Sequence, residues 1–215
     1  MSDLFYDTLV LLGRHPFWVS SRPTVLDAGV TRRNGAFILA ANHASPYDIP
    51  ILMRHCHRRI DFVSIREVFE KPFTRWLYGN MNAFPLDRSR ADSPAVRTIL
   101  DRLHRGRVIG MFPEGGFRLG KDSVLNSRRI RPGIGRLAKI ANVPILPCAI
   151  VGSQNFGHAL SWLPLRRTRY GVAFGEAILP DGDPADIETR LVDALVACHA
   201  RLQASDQYDA FAGRT

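Results

Sequence analysis

Residues 36–48 read Ala36-Phe37-Ile38-Leu39-Ala40-Ala41-Asn42-His43-Ala44-Ser45-Pro46-Tyr47-Asp48, and this stretch decides how the whole chain is interpreted. Its first six residues are apolar, which is typical of a strand buried on both faces of an α/β sheet. Ser45-Pro46 has the pattern of a helix N-cap followed by proline at the first helical position, and it predicts a helix from there to about residue 58. A histidine and a carboxylate therefore lie just beyond the end of a buried strand.

The spacing of His43 and Asp48 allows two interpretations. Inside one helix, five residues turn through roughly 500°, which would leave the two side chains about 140° apart. If His43 instead lies in the turn before the helix, the Asp48 carboxylate can reach one ring nitrogen, and the other nitrogen can take a proton from a hydroxyl group. The alternative is a capping box, Ser45-x-x-Asp48, in which Asp48 only satisfies a backbone amide. These residues alone leave both interpretations open.

A second motif lies further along the chain. An apolar run at 108–112 leads into Phe112-Pro113-Glu114-Gly115-Gly116, where proline and glycine directly after a strand give a tight turn. Between the two motifs, Leu86-Asp87-Arg88 ends another predicted strand. In this order the motifs resemble those of the glycerolipid acyltransferase family, typified by the lysophosphatidic acid acyltransferases, whose signatures are Asn-His-x-x-x-x-Asp and Phe-Pro-Glu-Gly. The resemblance covers about residues 35–150.

The resemblance implies a reaction and a role for the first motif. The family transfers a fatty acyl group from an acyl thioester, acyl-CoA or acyl carrier protein, to the hydroxyl of a lysophospholipid, and conversion of lysophosphatidic acid to phosphatidic acid is expected. His43 would be the general base, and Asp48 would orient it and stabilise the imidazolium as it forms. The family pattern contains no serine or cysteine nucleophile, so the acceptor would attack the thioester directly. No cofactor beyond the acyl donor, and no metal, is expected.

The resemblance also implies that five residues bind substrate: Asn42, Arg88, Glu114, Gly115 and Arg118. Arg88 would hold the phosphate of the acceptor, Glu114 would organise the acceptor-binding loop, and amides near Gly115 and Gly116 could donate to the oxyanion. The family usually continues Gly-Thr-Arg-Ser, whereas this chain has Gly115-Gly116-Phe117-Arg118. The arginine arrives one residue late, so Arg118 is expected to contribute less to phosphate binding than Arg88.

The remaining apolar patterns predict the fold. Strands and helices alternate, which indicates a single α/β domain with a mixed, largely parallel sheet flanked by helices. Further strands are expected at 60–65, 84–88, 143–151 and 170–174, and further helices near 73–78, 93–106, 132–141 and from 183 onward. We expect the acyltransferase domain to span 19–204, with an amphipathic segment at 1–18 before it and a disordered tail at 205–215 after it.

The chain carries a net charge of +9 with a pI near 10.2, and nearly all of its basic residues are arginine. Genomic composition can explain part of this excess, but so positive a field favours an anionic partner. The candidates are a phospholipid surface, a phosphorylated substrate, an acidic carrier protein and a nucleic acid. A nucleic acid is not expected, because the base-stacking aromatic pattern of the common RNA-binding modules is absent.

No apolar stretch of about 20 residues is present to span a membrane, and the N-terminus lacks the pattern of a secretory signal. We therefore expect a cytoplasmic enzyme that is peripheral on the inner face of the cell membrane. Two segments could contact an anionic membrane. One is a helix at 3–14, with Leu4, Phe5, Leu9 and Leu12 on one face and Phe17 and Trp18 beyond it, which could equally pack on the core. The other, at 156–169, combines Trp162 with Arg166, Arg167 and Arg169.

Cysteine and histidine usage favours neither disulfides nor a metal site. The three cysteines are odd in number and widely spaced. His55-Cys56-His57 is not expected to bind metal, because adjacent residues on a helix point in different directions. The alternatives to the expected reaction are an acyltransferase for another lysolipid, a thioester hydrolase in which water replaces the acceptor, and a non-catalytic membrane-binding protein. The sequence does not fix the oligomeric state.

Arg88→Ala should raise the KM for a phosphorylated acceptor about tenfold to a hundredfold, because a charge-assisted hydrogen bond contributes about 1.5–3 kcal/mol. The KM for the thioester should change little. Arg118→Ala is the matched comparison and should raise the acceptor KM less. Steady-state kinetics with each substrate varied in turn measures both effects. An equal loss of affinity for both substrates would indicate general misfolding and count against the assignment.

Overall fold

The apolar run that precedes His43 forms the fourth of seven strands across one sheet in the described part of the chain. The structure, a computed structural model, describes residues 3–65, 69–86, 94–157, 167–205 and 208. In chain order the strands are β1 (Ser21–Leu26), β2 (Phe37–Ala41), β3 (Ile60–Ile65), β4 (Phe84–Leu86), β5 (Val108–Met111), β6 (Ile145–Val151) and β7 (Thr168–Phe174). The α-helices are α1 (Asp3–Ser20), α2 (Asp48–His55), α3 (Pro72–Asn80), α4 (Pro94–His104), α5 (Val124–Ser127), α6 (Ile134–Ala141) and α7 (Pro184–Gln203).

The strands lie side by side in the order β1-β7-β6-β2-β5-β3-β4. Neighbouring strands run parallel except for β6 and β7, which are antiparallel. The prediction of a mixed, largely parallel α/β sheet is therefore confirmed. Because β6, β2 and β5 are adjacent and parallel, their carboxyl ends meet at one edge of the sheet, which is where sites form in such folds.

Helices cover both faces of the sheet because its central strand is apolar on both sides. Along β2, Phe37, Leu39 and Ala41 face a core shared with α1 and α2. The intervening residues, Ile38 and Ala40, face a second core shared with α4, α6 and α7. All five side chains are fully buried. This accounts for the uninterrupted apolar run in the sequence, since a strand covered on both faces does not alternate with polar residues.

The first helix is longer than predicted. The sequence suggests that it ends before His15-Pro16, but α1 continues through Pro16 to Ser20. Proline inside a helix removes a backbone hydrogen bond, and packing of one face of α1 on the core offsets that cost. The expected boundary between a separate N-terminal segment and the domain, at residue 18, falls within α1.

The strand β1 is not predicted from the sequence at all. It is short, begins with polar residues and contains Pro23, so it lacks the apolar pattern of a strand. Its stability comes from parallel pairing with β7, from Ser21 beside Thr168 to Leu26 beside Ala173. The strand lies at the edge of the sheet, where a missing backbone N–H is tolerated.

The apolar residues of α1 divide between the core and the solvent. Those packed on the core are Tyr6, Leu9 and Val10. Three others are 67–75% exposed, namely Leu4, Leu11 and Leu12. The predicted face of Leu4, Phe5, Leu9 and Leu12 is therefore wrong as a single surface, because Leu9 packs inward while Leu4 and Leu12 face outward. Among the described residues, no helix has both the length and the hydropathy needed to cross a membrane.

Several predicted features fall outside the described residues. These are Arg88, Trp162 with Arg166, and most of the tail at 205–215. Within that tail, Tyr208 is described, and its hydroxyl lies 2.9 Å from His199 Nε2 on α7. The Tyr208 side chain therefore contacts the helix, and the expected disorder of the tail at 205–215 stays a prediction.

The two histidines of His55-Cys56-His57 face different partners. His55 Nε2 lies 2.8 Å from the hydroxyl of Tyr170, and His57 Nδ1 lies 2.9 Å from the hydroxyl of Thr31. Burial lowers the pKa of His55 to about 4. No group of three or more potential metal ligands occurs in the part of the chain that the structure describes.

Candidate active site

His43 lies just past the carboxyl end of β2, and its imidazole contacts two phenylalanine rings. The side chain is 13% exposed. Phe112, the residue after β5, stacks on the imidazole with ring centroids 3.8 Å apart and an interplanar angle of 9°. Phe117 contacts the same ring at 4.4 Å with an angle of 48°. These contacts restrict the orientation of the imidazole and leave only a small part of it open to solvent.

Asp48 is the first residue of α2 and is fully buried. Its Oδ2 atom lies 2.8 Å from His43 Nδ1. The same oxygen accepts hydrogen bonds from the backbone amides of Ala44 at 2.8 Å and Ser45 at 2.9 Å. The two interpretations of the sequence are therefore compatible, since one carboxylate oxygen both caps backbone amides and contacts the imidazole.

The helix that carries Asp48 begins later than predicted, and Ser45 is not its N-cap. The Asp48 amide donates to the Ser45 carbonyl at 3.2 Å, which closes a turn with Pro46 in its second position. The Ser45 hydroxyl accepts a hydrogen bond from the Tyr47 amide, also at 3.2 Å. Proline suits the second position of such a turn as well as it suits a helix start, so the dipeptide is ambiguous in sequence. The turn keeps His43 outside the helix and within reach of Asp48.

The geometry leaves Nε2 of His43 available as a base. An ionised carboxylate accepts hydrogen bonds and donates none, so the proton between His43 and Asp48 resides on Nδ1. Nε2 then has a free lone pair that can take a proton from a hydroxyl group. When it does so, the Asp48 carboxylate stabilises the imidazolium that forms.

Glu114 holds the backbone of His43. Its Oε2 accepts a hydrogen bond from the His43 amide at 2.5 Å, while Oε1 accepts from the Val124 amide at 2.6 Å and the Ser123 hydroxyl at 3.1 Å. Burial raises the pKa of the Glu114 carboxyl, and these three hydrogen bonds oppose that shift. Because both oxygens are bonded inside the protein, Glu114 positions the loop and the backbone of His43, and its part in substrate binding stays a prediction.

Asn42 connects β2 to β6. Its side-chain amide donates to the carbonyl of Ile150 at 2.8 Å and accepts from the amide of the same residue at 2.7 Å. The residue is buried. Its amide group therefore joins two strands at the edge of the sheet and fixes the residue next to His43, while its expected role in substrate binding stays a prediction.

Gly115 and Arg118 lie in the loop that follows Phe112. Gly115 has a φ of +74°, which glycine adopts without strain, and its amide donates to the Phe112 carbonyl at 3.0 Å. The Gly115 amide is thus used within the loop, and donation to an oxyanion from amides near Gly115 and Gly116 stays a prediction. Arg118 donates its backbone amide to the His43 carbonyl at 2.8 Å and exposes its side chain. Arg88 is not among the described residues, so its role stays a prediction.

Two residues of the site are not identified from the sequence. Phe117 contacts the imidazole. The sequence could have pointed to this residue, because Phe117 occupies the position at which the resembling family has arginine. Ser123 donates its hydroxyl hydrogen to Glu114. No motif marks Ser123, which lies nine positions after its partner in a loop without a recognisable pattern.

Comparison with known sequences identifies relatives over most of the sheet. A family model described as Acyltransferase matches residues 22–151. A 1-acyl-sn-glycerol-3-phosphate acyltransferase of Bacillus subtilis is 24% identical over 57% of this chain, and one of Streptococcus pneumoniae is 25% identical over 80%; the match covers 59% of each. A lyso-ornithine lipid O-acyltransferase of Pseudomonas aeruginosa is 33% identical over 51% of this chain and 41% of its own length. The chain therefore matches less than two thirds of the length of these relatives.

Comparison with solved structures supports the fold. The crystal structure of the 1-acyl-sn-glycerophosphate acyltransferase PlsC from Thermotoga maritima superposes with a TM-score of 0.72. The match covers 93% of this chain and 80% of the other, at 19% sequence identity. The two chains therefore share the arrangement of strands and helices described above.

His43→Ala should lower the turnover of acyl transfer roughly 10²–10⁴-fold, the usual scale for loss of a general base. Asp48→Asn is the sharper test, because the asparagine oxygen can still accept from the amides of Ala44 and Ser45 while the negative charge beside the imidazole is lost. Turnover should fall by a comparable factor, whereas the melting temperature should hold. Kinetics and thermal unfolding of both variants measure this. Normal activity in Asp48→Asn would mean that Asp48 is only a cap.

Proposed function

Because this chain belongs to the acyltransferase family, we propose that it transfers a fatty acyl group from an acyl thioester to a lysophospholipid hydroxyl, converting lysophosphatidic acid to phosphatidic acid. The observation that carries the proposal is the 2.8 Å contact between His43 Nδ1 and Asp48 Oδ2 at the carboxyl edge of the sheet. The names of two relatives, both 1-acyl-sn-glycerol-3-phosphate acyltransferases, support the choice of acceptor.

The proposed reaction is a direct transfer with His43 as the base. Nε2 of His43 takes the proton of the acceptor hydroxyl, and the oxygen attacks the carbonyl carbon of the thioester. The carbon–sulfur bond breaks, and the departing thiolate takes the proton back from the imidazolium, so an ester and a free thiol are formed. Asp48 stabilises the imidazolium between these two steps. The hydroxyls of Ser45 and Ser123 are engaged in hydrogen bonds that position the loops, which fits a mechanism without a covalent acyl-enzyme.

The acyl donor in this proposal is acyl-CoA or acyl carrier protein, and the chain needs no other cofactor. Both donors are anionic, the first through its phosphates and the second through its acidic residues. The net charge of +9 favours encounter with either of them and with a phosphorylated acceptor. The net charge therefore supports anionic substrates as a class, and it does not distinguish acyl-CoA from acyl carrier protein as the donor.

A second acceptor class is favoured by one comparison. The relative named lyso-ornithine lipid O-acyltransferase has a higher identity, 33%, than the two named for 1-acyl-sn-glycerol-3-phosphate, although over a shorter stretch. This chain also has Phe117 in place of the arginine that the resembling family uses in its second motif. A lyso-ornithine lipid is therefore the alternative acceptor.

We further propose that the protein works on a membrane surface, to which it binds through an exposed apolar patch on α1 and α3. The patch, called here the α1–α3 surface, consists of Leu4, Leu11, Leu12 and Trp76, all more than half exposed. Trp76 is joined to α1 by an edge-to-face contact with Phe5, with ring centroids 5.3 Å apart. An apolar surface of this kind on a basic protein suits an anionic membrane.

The direct test is to incubate the protein with acyl-CoA or acyl carrier protein thioester and a panel of lysolipids. Thiol release and lipid products are followed together. The proposal expects one thiol for each phosphatidic acid formed, and dependence of thiol release on lysophosphatidic acid. Acylation of lyso-ornithine lipid alone would select the alternative acceptor. Thiol release with free fatty acid and no acylated lipid would identify a thioester hydrolase and contradict the proposal.

The membrane proposal predicts cosedimentation with vesicles that contain phosphatidylglycerol, weaker binding to phosphatidylcholine vesicles, and weakening by high salt. The double variant Leu11→Ser/Leu12→Ser should reduce the partition coefficient by about tenfold or more, because each buried leucine contributes about 1.5–3 kcal/mol. The matched control is Ile140→Ser/Leu179→Ser, which removes two similarly exposed residues elsewhere. An equal loss in both variants, or tighter binding to duplex DNA than to anionic vesicles at matched salt, would contradict the proposal.

A further inference from the structure

Arg131 lies against the loop that holds His43. Its backbone amide donates to the carbonyl of Pro113 at 2.8 Å. Its side chain crosses Gly115 so closely that a Cβ added to this glycine would lie 2.5 Å from Cδ and Nε and 3.0 Å from Cζ of Arg131. The backbone and the side chain of Arg131 therefore both contact the loop at residues 112–118.

Within the part of the chain that the structure describes, no carboxylate forms an ion pair with Arg131, and the residue is exposed. Arg128, three positions earlier in the chain, does have such a partner, since it pairs with Asp193. Glu188 caps the start of α6, which follows Arg131. Its Oε1 accepts hydrogen bonds from the backbone amides of Gly133 and Gly135. The Arg131 guanidinium therefore lies beside the loop with no carboxylate partner among the described residues.

The loop under Arg131 is the one that positions the base. Phe112 stacks on the His43 ring, Glu114 accepts from the His43 amide, and Arg118 donates its amide to the His43 carbonyl. Gly115 lies between these contacts, and its missing side chain gives Arg131 the room to lie there. Arg131 therefore packs on the same loop that positions the imidazole.

We propose that Arg131 binds a phosphate group of a substrate while His43 acts on the acceptor hydroxyl. This inference rests on the proposed function, and it adds a residue that the sequence motifs do not mark. The planar guanidinium offers paired N–H donors that match two phosphate oxygens, and its charge is permanent. A phosphate is present on lysophosphatidic acid and also on acyl-CoA, so the chemistry of recognition is the same for both and the test separates them.

The test compares Arg131→Ala and Arg131→Lys with wild type on two pairs of substrates. One pair is lysophosphatidic acid and monoacylglycerol, which share the acyl chain and a hydroxyl but differ in the phosphate. The other pair is acyl-CoA and the acyl thioester of N-acetylcysteamine, which differ in the phosphates of the donor. Arg128→Ala is the matched control, because it removes the same charge three positions away. For each variant the ratio of kcat/KM within each pair is measured.

In Arg131→Ala one of the two ratios should fall about tenfold to a hundredfold, the scale of a lost charge-assisted hydrogen bond. A fall in the acceptor ratio assigns Arg131 to the acceptor phosphate, and a fall in the donor ratio assigns it to the donor. Arg131→Lys should lie between wild type and alanine, because lysine keeps the charge and loses the planar fork. Unchanged ratios, an equal loss on all four substrates, or the same effect in Arg128→Ala would overturn the proposal.

A binding measurement separates this proposal from the proposed function. Glycerol 3-phosphate and coenzyme A are titrated calorimetrically into wild type and Arg131→Ala. Weaker binding of either compound by the variant supports the phosphate site even if wild type transfers no acyl group, in which case only the proposed function fails. Equal binding by both proteins, or no binding by wild type, overturns the role of Arg131.

Discussion

The position of His43 depends on two buried carboxylates that bind it at different atoms. Asp48 contacts the imidazole, and Glu114 accepts from the backbone amide. A buried carboxylate is costly unless donors surround it, and here most of the donors are backbone amides. If the loops that carry these amides shifted, the buried Asp48 and Glu114 carboxylates would lose their hydrogen-bond donors. The geometry of the base is thus enforced by the same interactions that make the loops stable.

The order of the strands brings these groups together. β2, which ends beside His43, lies between β5 and β6. The loop after β5 supplies Glu114, and β6 supplies Ile150, whose backbone pairs with the side chain of Asn42. The segment that carries the base is therefore tied to both neighbouring strands. A parallel arrangement is required for this, because only then do the three carboxyl ends lie at the same edge.

The local apolar pattern of the sequence was enough to predict the elements whose own residues carry that pattern. The predicted strand at 60–65 has the bounds of β3, and the apolar run at 36–41 forms β2. Features that depend on distant partners were not predictable. The polar segment that forms β1 needs β7 beside it, and the partner of Asn42 lies 108 positions along the chain. The prediction that Ser45-Pro46 begins a helix is wrong for a different reason, since proline favours a turn and a helix start alike.

The loop at 112–118 shows how this site can keep its base while its side chains vary. Two hydrogen bonds of this loop are made by the backbone alone: the amide of Arg118 donates to the His43 carbonyl, and the amide of Gly115 closes the turn. Such bonds do not depend on the identity of the side chain, so the departure from Gly-Thr-Arg-Ser at Gly116 and Phe117 leaves these two bonds intact, while Phe117 adds a ring contact to His43.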